Sequence, residues 1–200
     1  MTTILMVRHA PTPETGTRLT GRLPGVSLGP EGTRMAEHTG AWLAARSIRA
    51  VYASPLERTW ETAEIIARPH RLEPIREEGL LEVDYGSWSG RTLKSLARLK
   101  AWSTVQSTPS RMAFPEGERL ADAQTRAIRT VERLSDAHRR QAIVLVTHAD
   151  IIKAVVSQLL GQPLDLFQRI AVAPASVTTI ELPRQGPPTI VALNVMAPAA

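Results

Sequence analysis

Two histidines follow apolar runs at opposite ends of this sequence, and charged residues that suit phosphate chemistry lie beside them or between them. His9 and Arg8 end the run ILMV, and His148 follows the run AIVLVT. Two arginines that converge on one pocket suit a phosphoryl group, because they grip its oxygens and stabilise its transition-state charge. A neutral His9 imidazole can attack phosphorus and form a phosphohistidine, which divides one hard step into two. With Arg58 and Glu82, this set of residues predicts phosphoryl chemistry.

The leaving oxygen of such a reaction needs a proton, and an acidic segment at 77–84 offers carboxyl groups for it. Glu82 is the candidate general acid, because a pocket that raises the pKa of a carboxyl toward neutrality suits that role. Asp84 is the alternative acid in the same segment. The sequence leaves the choice between these two carboxyls open.

The same residue types could also build other kinds of catalytic centre. His9 and His148, with Asp150 or Glu82, have the ligand types of a metal site, but the two arginines beside them would repel a dication. A Ser-His-Asp triad is not indicated, because the sequence has no recognisable nucleophilic serine in a strained elbow. The chain has no cysteine, which excludes thiolate metal sites and a cysteine nucleophile. We therefore expect neither a metal nor a cofactor.

Two buried parallel strands must position the histidines. The first ends where Pro11 and Pro13 follow it, because proline cannot continue a hydrogen-bonded ladder, and the second covers 142–146. Ligands of open α/β sheets bind outside the carboxyl ends of the strands. Both histidines are therefore predicted to share one site at that edge of the sheet.

The other predicted elements alternate along the chain and indicate a three-layer α/β/α sandwich with a mostly parallel central sheet, formed by one domain over residues 1–200. Loop 10–30 is expected to carry binding groups, loop 107–117 to act as a flap, and residues 197–200 to be frayed. Helices are predicted at 30–46, 56–68, 93–105, 118–139 and 150–160, and further strands at 50–54, 72–76, 176–182 and 189–195.

Arg58 has two interpretations from its position in the first turn of the second predicted helix. Spacing allows an ion pair with Glu61 or Glu64 on a solvated helix face. An arginine in a first turn, however, opposes the helix dipole, which hints at a functional reason for its placement. Ser54 followed by Pro55 is interpreted as the N-terminal cap of this helix.

Composition narrows the classes of partner. The net charge of +5 comes without a dense basic run, and two Phe and two Tyr offer little stacking surface, so nucleic acid is disfavoured. No apolar run reaches the roughly 20 residues of a membrane helix, and the N-terminus lacks the features of a secretion signal. We expect a cytoplasmic protein that binds small anionic molecules and has no membrane partner. A homodimer is compatible with this composition.

Four motifs, in order over nearly the whole chain, resemble those of the histidine phosphatase superfamily in its phosphoglycerate mutase-like branch. The resemblance implies that His9 is the phosphorylated nucleophile, that Arg8, Arg58 and His148 form the phosphate pocket, and that Glu82 donates the proton. The motifs are Arg8-His9 after a strand, SPLERT at 54–59 with Thr62-Ala63, LEVDYGSWSG at 81–90, and Thr147-His148.

The resemblance also implies a set of substrate-binding residues around these groups. The family usually has glycine after each catalytic histidine, where this chain has Ala10 and Ala149, and we expect ordinary φ at both alanines. The family usually has asparagine near Thr15, which affects one phosphate contact. The implied lining residues are Thr15, Thr20, Gly21, Tyr85 and Ala149.

The leading functional prediction is a metal-independent phosphomonoesterase that hydrolyses a small phosphorylated metabolite through phosphohistidine at His9. The first alternative is a 2,3-bisphosphoglycerate-dependent phosphoglycerate mutase, but the flap offers few arginines, Arg111 and the neighbouring Arg119, to hold a second phosphate. The second alternative is a non-catalytic module that binds phosphorylated ligands. Binding alone needs neither a nucleophile nor an acid such as Glu82, which favours an enzyme.

Overall fold

Six strands form a single sheet in the computed structural model, which describes residues 1–198. Their order is β3-β2-β4-β1-β5-β6. The first four run parallel, whereas β5 is antiparallel to β1 and β6 is antiparallel to β5. The predicted α/β fold with a mostly parallel sheet is confirmed. The strands are β1 (Thr2–Arg8), β2 (Ile48–Ala53), β3 (Ile75–Arg76), β4 (Ala142–Thr147), β5 (Val177–Leu182) and β6 (Thr189–Val195).

Helices cover both faces of the sheet. Side chains alternate across a strand, so Leu5 and Val7 of β1 face one layer, and Ile4 and Met6 face the other. The first layer contains α1 and α2, and the second contains α5 and α6. This arrangement confirms the predicted three layers. The helices are α1 (Pro30–Leu43), α2 (Glu57–Ala67), α3 (Leu93–Leu96), α4 (Trp102–Ser107), α5 (Leu120–Ala137) and α6 (Ala149–Leu159).

Strand register brings the two histidines together. Arg8 of β1 pairs with Thr147 of β4, and the His9 amide donates to the Thr147 carbonyl oxygen at 2.9 Å. His9 and His148 therefore leave neighbouring parallel strands at the same edge of the sheet, with ring centroids 5.3 Å apart. The prediction that both lie at one edge is confirmed.

Two predicted elements differ from the structure. The third strand begins only at Ile75, since Pro74 has no amide hydrogen to donate to a ladder. The single helix predicted at 93–105 is two short helices, α3 and α4, separated by a turn. This turn lets Leu96 and Val105 both reach the apolar core on the α5 side of the sheet.

The predicted flap at 107–117 is held against the body of the protein. Met112 and Phe114 are buried, and the Phe114 ring meets the Tyr85 ring edge to face at 4.9 Å between centroids. Of the segment 197–200, which was expected to be frayed, residues 199 and 200 lie outside the described residues. Within residues 1–198, no helix is long and apolar enough to cross a membrane.

Candidate active site

His9 lies immediately after β1 and is oriented by its own backbone. Its Nδ1–H donates to the Ala10 carbonyl oxygen at 2.8 Å, so the Nε2 lone pair is left for the cavity. The Ala10 amide donates in turn to Thr62 Oγ1 at 3.1 Å, which ties this turn to α2. Burial, followed by the charge of Arg58, lowers the pKa of His9 to about 3. The imidazole is therefore neutral at pH 7, as a nucleophile must be.

Two guanidinium groups flank His9, that of Arg58 buried and that of Arg8 partly buried. Arg8 Nη1 donates to the Val172 carbonyl oxygen, and Arg58 Nη2 donates to that of Gly21, each at 2.7 Å. Arg8 Nε and Arg58 Nε and Nη1 are buried without a hydrogen-bond partner among the described residues. Burial lowers the pKa of both groups, yet arginine stays charged in proteins. Both arginines thus retain donors suited to an anion.

The structure decides between the two interpretations of Arg58. Its side chain is 1% exposed, so the solvated helix face is wrong for this residue. The two glutamates proposed as its partners bond elsewhere: Glu61 Oε2 accepts from the Leu28 amide at 2.7 Å, and Glu64 Oε1 from Trp60 Nε1 at 2.8 Å. Arg58 instead faces the cavity.

His148 lies beneath the cavity at the N-terminus of α6 and is fully buried. Arg58 Nη2 is 3.2 Å from His148 Nδ1, and since arginine only donates, Nδ1 accepts. His148 Nε2 then carries the hydrogen and donates to Ser54 Oγ at 2.9 Å. Burial, followed by the charge of Arg58, lowers the pKa of His148, so this ring is neutral as well.

Ser54 was missed as a site residue, and the prediction that it caps a helix is wrong. Helix α2 begins at Glu57, with Leu56 as its cap and no side-chain cap bond. The Ser54 hydroxyl holds His148 from below instead. The signal in the sequence was its place at the end of β2, the strand that pairs with β4.

Glu82 brings a carboxyl group to the wall of the cavity. Its Oε1 accepts from the Val83 amide at 3.0 Å, and its Oε2 lies 3.9 Å from His148 Nδ1. Burial, followed by the Asp150 carboxylate, raises the pKa of Glu82 to about 7, although Arg58 opposes the shift. Near neutral pH this carboxyl can donate a proton and afterwards accept one.

Asp84, the alternative acid, is directed elsewhere. Its Oδ1 accepts from the Gly86 amide at 3.0 Å, and its Oδ2 lies 3.8 Å from Arg22 Nη1. It does not line the cavity that contains His9. The geometry therefore favours Glu82 as the acid.

The cavity above His9 has a volume of about 210 Å³. Every implied binding residue lines it except His148, which lies below and contacts Arg58. Gly21 has φ of +55°, and a Cβ there would meet Ser89 Oγ at 2.8 Å, so glycine is required. The lining residues also include Thr12, Glu14, Gly16, Arg18 and Leu19, which belong to the loop at 10–30 that was expected to carry binding groups, and Leu93 and Asp150, which the sequence did not indicate as substrate-binding residues.

Asp150 is the most informative of these additions. Its Oδ2 accepts from the Tyr85 hydroxyl at 2.8 Å, and its Oδ1 lies 3.3 Å from Lys153 Nζ. The sequence suggested Asp150 only as a metal ligand, although its place two residues after His148 was a usable signal. Ala149, like Ala10, has no positive φ, as predicted.

Thr15 shapes the loop beside His9. Its hydroxyl accepts from the Thr12 amide at 2.9 Å and lies 3.2 Å from Thr12 Oγ1. The side chain thus supports the wall of the cavity through the loop backbone. Taken together, the cavity contains a neutral imidazole, two fixed cations and a carboxyl with a raised pKa, a set that suits a tetrahedral anion.

Known proteins are similar to this chain in sequence and fold. The family model described as Histidine phosphatase superfamily (branch 1) matches residues 4–196. Phosphoserine phosphatase 1 of Hydrogenobacter thermophilus is 30% identical over 190 residues, covering 91% of this chain and 87% of that protein. The 2,3-bisphosphoglycerate-dependent phosphoglycerate mutase of Thermoplasma acidophilum is 28% identical over 152 residues, covering 76% and 72%. The solved structure of Bacillus stearothermophilus YhfR superposes with a TM-score of 0.89 at 30% identity, covering 97% of both chains.

Proposed function

Because the chain belongs to the histidine phosphatase superfamily, we propose that it hydrolyses small phosphomonoesters through a phosphohistidine on His9, without a metal ion. One observation carries this proposal. The Nε2 of a neutral His9 faces a cavity in which Arg8 and Arg58 retain donors that have no partner among residues 1–198. Fixed guanidinium charges can supply the stabilisation that a metal would otherwise provide.

In the first step, His9 Nε2 attacks phosphorus while the phosphate oxygens are held by the two arginines. The bond from phosphorus to the ester oxygen breaks, and the Glu82 carboxyl gives its proton to that oxygen, so that the alcohol leaves neutral. The phosphorylated ring keeps its Nδ1 hydrogen. The Ala10 carbonyl oxygen, 2.8 Å from Nδ1, stabilises the positive charge that the ring acquires.

In the second step, water attacks the phosphohistidine. The Glu82 carboxylate, left without its proton, accepts one from this water, and the bond from phosphorus to Nε2 breaks. Inorganic phosphate leaves and His9 is neutral again. A carboxyl whose pKa is about 7 suits both directions of transfer at neutral pH.

The size of the site supports a compact substrate. A cavity of about 210 Å³ accommodates a phosphate and a few further atoms, and its lining includes Leu19 and Leu93 together with the charged Glu14 and Arg18. The relative from Hydrogenobacter is a phosphoserine phosphatase. A phosphorylated small metabolite, with phosphoserine among the first to be assayed, is the substrate class that we propose.

We expect EDTA to leave the hydrolysis of p-nitrophenyl phosphate unchanged and orthovanadate to inhibit it. Arginines rather than a metal hold the phosphate in this proposal, and vanadate adopts the five-coordinate geometry of the transition state. Initial rates after dialysis against EDTA, and a vanadate titration, measure both effects. Loss of activity in EDTA that a divalent ion restores would contradict the proposal.

Transfer between phosphoglycerates is the second candidate function, since a relative carries the name of a bisphosphoglycerate-dependent mutase. A mutase must keep water from its phosphohistidine while the intermediate reorients. Among the described residues, those that line the cavity include none from 103–117, and Arg111 and Arg119 are exposed outside it. Because no flap residue in the described part of the chain lines the cavity, the site favours hydrolysis.

We therefore expect the phosphoenzyme to release inorganic phosphate, and added 2,3-bisphosphoglycerate not to start rapid exchange of 3- and 2-phosphoglycerate. Phosphate release and isomer exchange are measured side by side on the same preparation, with and without the bisphosphate. Exchange well above the rate of phosphate release would reverse the order of the two functions.

A further inference from the structure

The segment that carries Glu82 is held by side chains rather than by a strand ladder. Its four consecutive carbonyl oxygens at 79–82 each accept a hydrogen bond from a side chain on another element. Backbone without regular pairing keeps one geometry only when such bonds fix it. The donors are Arg126 Nη1 to Gly79 at 2.8 Å and to Leu81 at 3.0 Å, Thr147 Oγ1 to Leu80 at 2.7 Å, and Arg22 Nε to Glu82 at 2.7 Å.

One carboxylate oxygen organises most of these contacts. Glu118 Oε1 accepts from Arg22 Nη2 at 2.8 Å, from Arg126 Nη2 at 2.9 Å and from the Asp84 amide at 2.9 Å. The Glu118 amide also donates to the Asp84 carbonyl oxygen at 2.9 Å. Glu118 itself does not line the cavity, so it contacts the segment from behind.

The charge of Glu118 matters because it lies between two cations. Arg22 and Arg126 both approach the same carboxylate oxygen, and their side chains are 30% and 25% exposed. Without a negative charge between them they would repel each other and could turn toward water. The carbonyl oxygens of Leu81 and Glu82 would then lose their donors.

The carboxyl of Glu82 depends on this backbone for its placement. Among the described residues, its oxygens have one hydrogen bond, from the Val83 amide, and one longer approach to His148, so little in that part of the chain holds its side chain directly. We propose that Glu118 is a positioning residue for the general acid, acting through Arg22 and Arg126 to hold the Glu82 carboxyl at the leaving oxygen. The proposal rests on the acid role of Glu82 in the proposed function.

The test compares two leaving groups, because a misplaced acid harms only the ester that needs its proton. We expect Glu118→Ala to lower kcat/KM for glycerol 1-phosphate by about 10-fold or more, and that for p-nitrophenyl phosphate by less than about 3-fold. Adding Glu118→Ala to Glu82→Gln should lower kcat/KM for the alkyl ester by no more than about a further 2-fold. The effects of two substitutions do not add when one residue acts through the other. Urea unfolding of each variant establishes that it is folded.

Glu77→Ala is the matched control. Glu77 accepts from the Gly79 amide at 3.1 Å and pairs with Arg133 of α5, so it contacts the same segment and the same helix but not residues 81–84. It should leave the ratio of the two kcat/KM values at the wild-type value. Arg22→Ala, which removes the donor to the Glu82 carbonyl from a partly exposed position, should repeat the Glu118→Ala result and replaces it if that variant fails to fold.

Three results would overturn the proposal. The first is an equal loss on both esters in Glu118→Ala, or in Arg22→Ala where it is used instead. The second is a fully additive loss in the double variant, and the third is the same change of ratio in Glu77→Ala. If Glu82→Gln itself lowers kcat/KM equally for the two esters, the acid role in the proposed function is wrong. If the losses in kcat/KM for the two esters differ in Glu82→Gln but not in Glu118→Ala, only the role of Glu118 is contradicted.

Discussion

Replacing His9 with alanine is expected to lower the turnover of p-nitrophenyl phosphate on the order of 10³-fold or more, because no other group can form the covalent intermediate. The neutral Nε2 of this ring faces the cavity between the partly buried Arg8 and the buried Arg58. His70→Ala is the matched control, since His70 lies after α2 and outside the cavity, and it should retain wild-type turnover.

The same prediction has a direct chemical readout. Wild-type enzyme mixed with ³²P-labelled substrate and quenched in alkali should carry a label that survives alkali and is lost in acid, the behaviour of a phosphohistidine. His9→Ala should carry none, and His70→Ala should carry as much as wild type. Wild-type turnover by His9→Ala, or an undiminished label on it, would show that the nucleophile lies elsewhere.

Glu82→Gln is expected to lower kcat/KM for an alkyl phosphate by about 10²–10⁴-fold, the usual value of general-acid help. For p-nitrophenyl phosphate the loss should be far smaller, because a good leaving group hardly needs a proton. We use kcat/KM because it reports the steps up to departure of the leaving group, before water attacks. Asp84→Asn is the control, and it should leave the ratio of kcat/KM for the two esters unchanged.

The pH profile tests the same carboxyl independently. Burial and Asp150 raise the pKa of Glu82 to about 7, and only the protonated form can donate. The value of kcat/KM for the alkyl ester should therefore fall as pH rises through about 7, and this limb should be absent in Glu82→Gln. Equal losses on both esters, with the limb retained, would remove Glu82 from the acid role and bring Asp84 forward.

Patterns in neighbouring residues were sufficient to place His9 and His148 on the fold. Burial of a parallel strand appears as a short apolar run, and the runs before Arg8 and at 142–146 are β1 and β4. The alternation of layers also follows from local periodicity, as in α5, which lies within the helix predicted at 118–139 and buries Leu120, Ala127 and Leu134. Local composition likewise allowed a strand at 72–76, where Pro74 restricts it to two residues.

The contacts that tune the site depend on residues far apart in the chain. Ser54 and His148 are separated by 94 positions, and Arg22 and Glu118 by 96, so no local pattern relates them. Local spacing even allowed Arg58 a place on a solvated helix face, whereas packing buries it against His148. The pairing of β2 with β4 brings these two residues close, because Arg58 lies shortly after β2 and His148 directly after β4.

The protonation states follow from the same folding event. In an unfolded chain Glu82 would be an ordinary exposed carboxyl and His9 an ordinary imidazole. Folding removes both groups from water. It brings Asp150 close to Glu82, whose pKa rises, and Arg58 close to His9, whose pKa falls. The sequence determines the residue types and their order. Desolvation requires burial and charge proximity requires contact between distant residues, and only the tertiary structure provides both.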